Sequence, residues 1–361
     1  MALHKYQIDK LALWQLQQRQ GLDLRTKIKL TMRRIDDWYK AWDGDVYVAF
    51  SGGKDSTVLL DLVRSEYSDV PAVFADTGLE FPEIKNFVKE FDDVTTLRPD
   101  MNFKEVIDTK GYPIISKQFA FKIKRIRRNP DCYSSKYFLT GYKSDGVYSS
   151  YGKIPEKWRY LLNAPFKISD ECCDVMKKIP FKKYEKKTGR KGFIGTMALD
   201  SQQRRLNYLK VGCNSFVKYK EKSQPLGFWN TQDIWQYIKH QELNYCSIYG
   251  CGIKNTGCIF CMFGVHLEKY PNRFQILQDT HPQIHNYCMT KLGLKKILDY
   301  IHVDGYKPKT LNGGTNFTKS SADDFPTEDI IIAKSNKILS DFTSDEPPSE
   351  SLRTFANAKG T

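Results

Sequence analysis

No run of about 18 apolar residues occurs in this 361-residue chain, so no membrane-spanning helix is expected. The opening stretch, MALHKYQIDKLALWQLQQRQ, reads as an amphipathic helix. It lacks the apolar core and small-residue cleavage site of a secretory signal, so a cytoplasmic protein with no membrane association is expected. The cysteines number nine, an odd count. Without a secretion signal they argue against a disulfide framework and for metal or redox chemistry. No internal repeat is visible, so a solenoid or other repeat array is not expected.

What is present fits an ordinary globular protein. Hydrophobic residues make up 40% and aromatics 13% of the chain. The length suits one large domain or two and is enough to bury a real core. The formal net charge is +14. That charge bears on partners rather than on fold. It admits nucleic acid, an anionic nucleotide or sulfonucleotide, or a basic surface that serves only solubility.

The pattern along the chain alternates strand and helix. Residues 1–40 read as an N-terminal helical segment with Lys27, Lys29, Arg33 and Arg34 near its end. Val46 to Phe50 is a short apolar run rich in β-formers and reads as a buried strand, followed by a polar glycine loop and helical spacing from Thr57 to Tyr67. Ala72 to Ala75 reads as a second strand, Pro82 to Phe91 as a helix, Val94 to Leu97 as a third strand, and Phe193 to Gly195 as another. Such alternation predicts a parallel sheet with helices on both faces.

Residues 101–165 read as an inserted helix-and-loop region beside the active site, and residues 166–192 are dense in lysine. Residues 229–240 read as a helix capped by Asn230 or Thr231. Residues 245–265 form a cysteine- and glycine-rich loop, and residues 268–303 read as two helices, the second from Lys291 to Ile301. The expected organisation is a nucleotide-binding domain over 41–265, C-terminal helices over 266–310 and a disordered tail over 311–361.

The strand–loop–helix VYVAF–SGGKDS–TVLLDLV carries the strongest local signal. Gly52 and Gly53 let the backbone approach an anion, and the N–H groups at the following helix start point toward it. Lys54 adds a cation, Ser51 and Ser56 add hydroxyls, and Asp55 is a candidate ligand for a metal or for the adenosine side. The loop is not of Walker A type, which needs Gly where Val48 stands and Ser or Thr where Asp55 stands. Asp76 ends a strand at the carboxyl edge of the sheet, where open α/β sheets bind ligands. Arg204 is a permanent cation suited to phosphate or sulfate oxygens, or else a partner of Asp200 at helical i,i+4 spacing.

SGGKDS resembles the pyrophosphate loop of the adenine-nucleotide α-hydrolase-like superfamily, which includes N-type ATP pyrophosphatases. Further segments narrow the resemblance to the phosphoadenosine phosphosulfate (PAPS) reductase family. They are AVFADTGLEFPE, GYPIIS (Gly111 to Ser116), GTMALDSQQRR and SQPLGFWNTQDIWQYI, in order, across roughly residues 46–265. The resemblance implies a Rossmann-like three-layer α/β/α fold with a mostly parallel sheet, plus helical and cysteine-rich C-terminal elements. It implies nucleotide contacts from Ser51, Gly52, Gly53, Lys54, Asp55, Ser56, Asp76, Thr77, Gly78, Asp200, Ser201 and Arg204, with Lys54, Asp55 and Arg204 acting in catalysis.

Two cysteine pairs stand out, Cys172-Cys173 and Cys258-x-x-Cys261. Together they supply the four thiolates that a four-iron cluster needs. The layout resembles the iron–sulfur members of the family, the adenylylsulfate-type reductases, and the DNA phosphorothioation sulfurtransferases also carry a cluster. Lys177 and Lys178 are placed to offset thiolate charge. Two rival arrangements stay open: a local site of Cys246, Cys251, Cys258 and Cys261 without the Cys172-Cys173 pair, and zinc on four thiolates. Cys132, Cys213 and Cys288 are expected to be core thiols.

The chain departs from the sulfonucleotide reductases in one respect. It has no E-C-G-(I/L)-H string and no cysteine after Ile301. Two enzymatic readings and one non-enzymatic reading follow. The first is ATP cleavage between the α and β phosphates, with Mg²⁺ bridging the phosphates, to activate a substrate for sulfur transfer from a donor protein. The second is APS or PAPS reduction to sulfite with a thiol reductant. The third is a nucleotide-binding regulatory or defence-related protein without turnover. If nucleic acid is the acceptor, the basic stretch Lys117, Lys122, Lys124, Arg125, Arg127 and Arg128 is the expected contact.

Overall fold

The computed structural model describes residues 10–218 and 220–308, and the tail expected over 311–361 lies outside the described residues. Helices α1 (Leu13–Gln20) and α2 (Leu24–Ala41) lead into β1 (Val46–Ala49), α3 (Lys54–Glu66), β2 (Ala72–Ala75), α4 (Pro82–Val88) and β3 (Val94–Leu97). The next stretch holds α5 (Phe103–Thr109), β4 (Ile114–Ile115), α6 (Lys117–Arg128) and α7 (Tyr133–Thr140). A π-helical turn (Asp174–Lys178) then runs into α8 (Ile179–Thr188), β5 (Lys191–Ile194), α9 (Gln202–Val211), β6 (Asn214–Ser215), β7 (Lys222–Ser223) and α10 (Thr231–His240). The chain closes with β8 (Met262–Phe263), α11 (Arg273–Thr280), α12 (Pro282–Thr290) and α13 (Leu294–Tyr300).

The main sheet has the order β3-β2-β1-β5-β7-β6 and is parallel except for the β6–β7 pair. With helices packed against it, this is the three-layer α/β fold expected from the alternation. Strand β1 is buried because its residues are apolar on both faces, as a central parallel strand requires. The chain leaves β1 toward β2 on one side and meets β5 on the other. A reversal of this kind opens a crevice at the carboxyl ends of the two strands. The loops after β1 and β5 both carry polar residues singled out above.

A buried ion pair fixes the helical layer. Lys27 on α2 donates to both carboxylate oxygens of Asp233 on α10, at 2.8 and 2.7 Å, and both side chains are buried. Asp233 also accepts the Asn230 N–H at 2.7 Å, while Asn230 caps α10. Nearby, Trp229 donates to the Thr31 hydroxyl at 2.8 Å.

Boundaries shift where local chemistry differs from hydrophobic spacing. Helix α3 starts at Lys54 rather than Thr57, because the Gly53 carbonyl accepts from both the amide and the hydroxyl of Thr57. The C-terminal segment contains three helices rather than two. His281 and Pro282 separate α11 from α12, and Gly293 in a left-handed conformation starts α13. The short β4 and β8 pair in parallel, Ile114 with Met262, which ties the GYPIIS segment itself to the residues just after the C-x-x-C turn. The described residues up to Lys307 belong to one compact unit.

Candidate active site

The loop after β1 is held open by its own hydroxyls. The Ser51 amide donates to the Ser56 hydroxyl at 3.1 Å, the Gly53 amide to the Ser51 hydroxyl at 3.4 Å, and the Ser56 hydroxyl to the Gly53 carbonyl at 2.8 Å. Gly52 has φ of +69° and lies against α4, where a Cβ would stand 2.8 Å from a Val88 methyl. Only glycine fits both conditions. The Lys54 side chain is buried and its ammonium bonds the Asp55 carboxylate at 3.0 Å. Burial pushes the Asp55 carboxyl above the usual carboxylate range, and the Lys54 charge only partly opposes it.

Two residues that sequence reasoning missed sit on this loop. The Lys54 amide donates to the Tyr249 hydroxyl at 2.8 Å, and Thr256 stands over Gly53, where a Cβ would lie 2.5 Å from its hydroxyl. Both come from the stretch that leads into Cys258. Their only sequence signal is their place in the glycine- and cysteine-rich loop. A Tyr hydroxyl on a helix-start amide occupies the kind of position that a phosphate oxygen takes at such a helix start.

The loop after β2 forms a second wall. Asp76 pairs with Lys85 at 2.7 Å and accepts the Gly78 amide at 3.2 Å. Burial opposes the ionised form, yet Lys85 and the Gly78 amide hold the Asp76 carboxyl below its ordinary range. Thr77 donates through its hydroxyl and its amide to Glu80, at 2.7 and 3.0 Å, and Gly78 has φ of +75° with open space beside it.

The loop after β5 brings Asp200, Ser201 and Arg204 to the same crevice. Ser201 caps α9 by accepting the Arg204 amide at 3.2 Å, and Arg204 pairs with Asp200 at i,i+4. The i,i+4 pairing weighed from sequence is therefore present. It does not remove these residues from the crevice, because Asp200 and Arg204 both act electrostatically on Asp55.

The cysteines sort into two groups. Cys172, Cys173, Cys258 and Cys261 lie within electrostatic reach of one another, and the Cys172 and Cys173 sulfurs are 4.0 Å apart. Cys172 donates to Cys173, which holds the Cys173 thiol down while the Cys172 thiol is driven up. Burial pushes Cys258 up to about 11 against the pull of Lys177. Two lysine ammonium groups lie within electrostatic reach of this quartet, Lys117 acting on Cys173 and Lys177 on Cys258. Lys178, expected to share that task, is exposed and pairs with Asp174 instead. Cys251 is exposed and Cys246 is buried outside the quartet. Cys213 and Cys288 are buried, but Cys132 is not the expected core thiol: it precedes α7, with Ser134 and Ser135 hydroxyls each 3.2 Å from its sulfur.

The quartet and the nucleotide-side loops are joined. The Ile259 amide donates to the Leu79 carbonyl at 2.9 Å, and the Lys177 ammonium lies 3.6 Å from Glu80. Among the described residues, no three His, Cys, Asp or Glu side chains converge tightly enough for a single metal ion. A four-iron cluster takes one thiolate on each iron, and the donor set here, four cysteine thiols with Lys117 and Lys177 within electrostatic reach, has the chemistry of that group.

The basic stretch on α6 divides. Lys122 turns inward and donates to the Tyr151 carbonyl at 2.8 Å, and Lys124 pairs with Asp170 at 2.5 Å. Arg127 donates to four backbone carbonyls, those of Leu161, Leu162, Ala164 and Phe166, at 2.6 to 2.9 Å. These three residues hold the fold together, and Lys117 serves the cysteines. Only Arg125 and Arg128 present exposed charge on the last turn. Among the described residues no helix is long and apolar enough to cross a membrane.

Comparison with known proteins places these features. The sequence profile named "Phosphoadenosine phosphosulfate reductase domain" matches residues 45–145 and 147–263. The chain is 24% identical over 247 residues to an uncharacterised protein of Methanocaldococcus jannaschii, a match covering 67% of this chain and 46% of that protein. It thus spans about half or less of the length of the M. jannaschii relatives it matches. It is 22% identical over 261 residues to the adenosine 5'-phosphosulfate reductase of Anoxybacillus flavithermus, covering 71% of this chain and 89% of that enzyme. Among solved structures, a phosphoadenylyl-sulfate reductase of Candida auris in a phosphate complex is 15% identical, with a TM-score of 0.38, over 69% of this chain and 96% of that one. A U34-tRNA thiolase of Methanococcus maripaludis with its [4Fe-4S] cluster is 17% identical, with a TM-score of 0.32, over 80% of this chain and 84% of that one.

Proposed function

Because the chain belongs to the phosphoadenosine phosphosulfate reductase domain family, we propose that it is an enzyme that binds ATP in the crevice between β1 and β5 and cleaves it between the α and β phosphates to activate a substrate for sulfur transfer. The observation that carries this reading is that the stretch leading into Cys258 meets the anion cradle at Ser51–Ser56 through Tyr249, while Glu80 and Lys177 tie the loop after β2 to the cysteine quartet.

In this reading the acceptor's nucleophilic atom forms a bond to the α-phosphorus. The bond from that phosphorus to the bridging oxygen breaks, and pyrophosphate leaves with the electron pair. A sulfur nucleophile then displaces AMP from the activated substrate. The chain's contribution is positioning and charge stabilisation. The amides of Gly53 and its neighbours receive the leaving phosphates, Lys54 offsets their charge from within the loop, and Arg204 faces them from α9. Asp55 and Asp76 would hold Mg²⁺ with the nucleotide, and the ion would neutralise phosphate charge there. Cys172, Cys173, Cys258 and Cys261 would hold a four-iron cluster, which supplies a place to carry sulfur or electrons. Lys117 and Lys177 offset the charge of those thiolates.

The reductases among the relatives favour a second reading, the conversion of APS or PAPS to sulfite. Calorimetric titration with ATP, APS and PAPS, followed by pyrophosphate and sulfite assays under anaerobic conditions, separates the two. ATP binding with pyrophosphate release supports the first. Sulfite release from APS or PAPS with a thiol reductant supports the second. No binding of any of the three overturns both.

A further inference from the structure

The insertion that carries α6 and α7 continues into a hairpin with an unusual surface. Tyr142 and Tyr148 face each other across this hairpin as an antiparallel bridge, their ring centroids 5.3 Å apart. The hairpin closes on the Lys143 amide donating to Val147 at 3.0 Å, and the Ser144 amide anchors it to α7 through the Tyr133 hydroxyl at 2.6 Å. Tyr133, Tyr142, Tyr148 and Tyr151 are each more than half exposed. A globular domain ordinarily buries most of so much ring area.

The charge on the same region is one-sided. Residues 117–160 contain eleven Lys and Arg against three Asp and Glu. Lys122, Lys124 and Arg127 are spent inside the fold, as described above. Arg125, Arg128, Lys136 and Lys143 are exposed beside the tyrosines, and Arg125 reaches the Ser134 hydroxyl on α7 at 3.2 Å. Exposed rings interleaved with exposed cations suit unpaired bases strung on a phosphate backbone: the rings stack the bases and the cations neutralise the phosphates. A purely apolar docking face would not need the cations, and a duplex would hide its bases from the rings.

We infer that the α6–α7–hairpin surface is a docking site for single-stranded nucleic acid, with Tyr142 and Tyr148 as the stacking platform and Arg125, Arg128, Lys136 and Lys143 as phosphate contacts. None of these residues is among those assigned to the nucleotide crevice, so the inference is tested independently of the proposed reaction.

The test is fluorescence anisotropy on the full chain with labelled oligo-U, labelled oligo-dT and a duplex of the same length, each about twelve nucleotides, over a range of salt. The expected result is preferential single-strand binding, with affinity falling as salt rises at about 0.7 log units per log unit of salt for each phosphate neutralised. Replacing Tyr142 and Tyr148 together by Leu weakens single-strand binding by at least about tenfold with an unchanged salt slope, and replacing them by Phe preserves it. R125Q with R128Q lowers the slope by about 1.4. ATP binding measured by calorimetry stays at the wild-type value in the tyrosine variants, which shows that they are folded. Absence of single-strand binding at low salt overturns the inference, as does equal duplex binding. Unchanged binding by the leucine variants also overturns it and marks the patch as an apolar protein-docking face.

Discussion

Lys177 lies between two systems: its ammonium is 3.6 Å from the Glu80 carboxylate and within electrostatic reach of Cys258. Burial works against its charge, but Cys258, Glu80 and Cys173 together hold it above the usual lysine range. Glu80 in turn holds the Thr77 hydroxyl and amide in the loop after β2. A change in charge at either end therefore has a short polar path to the other.

The phosphate cradle makes the first prediction. Lys54→Ala removes the cation within the loop and should weaken ATP binding by about 1.5–3 kcal/mol in calorimetry, the range for a charge-assisted hydrogen bond. Tyr249→Phe should do the opposite. It frees the Lys54 amide, to which the phenol is bonded at 2.8 Å, and should tighten ATP binding by about 0.5–1.5 kcal/mol. Weaker binding by this variant would mean that the phenol itself contacts the nucleotide.

Asp55 gives a pH-dependent prediction. Its folded pKa is raised, chiefly by burial. Its contribution to stability is thus fully present below the unfolded carboxylate range, near about pH 4, and is lost as pH rises through the folded pKa. Asp55→Asn cannot ionise and should escape that loss. Thermal melts should show the variant matching the wild type at acid pH and exceeding it at neutral pH. A variant less stable at neutral pH would show that the ionised Asp55–Lys54 pair supports the loop.

Arg127 should behave as a structural residue. Arg127→Ala leaves four carbonyls without their donor, and urea unfolding should show a loss of about 3 kcal/mol or more. Near wild-type stability with lost polymer binding would return Arg127 to the role first expected of it.

The cysteines separate by variant. Cys172→Ser, Cys173→Ser, Cys258→Ser and Cys261→Ser should each deplete iron and acid-labile sulfide in anaerobically purified protein, while Cys251→Ser and Cys246→Ser retain both. Loss of iron in the Cys251 variant alone would move the site to the local cysteines. Stoichiometric zinc in colourless wild-type protein would replace the cluster.

The parts of the fold legible in the sequence are those fixed by short-range pattern. The run from Val46 to Phe50, the paired glycines and the spacing of Val58, Leu59, Leu62 and Val63 place a strand, a loop and a helix without long-range information. Cys172-Cys173 and Cys258-x-x-Cys261 are legible as pairs, and their meeting followed from the family resemblance. What the sequence hides is the far partner. Nothing local to Lys122 or Arg127 says that backbone carbonyls up to 39 residues away will take their donors. Tyr249 is 195 residues from the amide it meets. Lys117 takes up the task expected of Lys178, which pairs with Asp174 instead, because placement in space, not sequence proximity to the cysteines, decides which ammonium comes near a sulfur.

The joining of nucleotide crevice and cysteine quartet is tested most directly by titrating ATP into the anaerobically purified holoprotein while following its visible circular dichroism. The account predicts a saturable change in the iron–sulfur signal, and loss of that response in Glu80→Gln and Lys177→Met variants that still contain iron and still bind ATP. An iron-loaded protein whose signal is indifferent to saturating ATP, or one with no such signal at all, would contradict it.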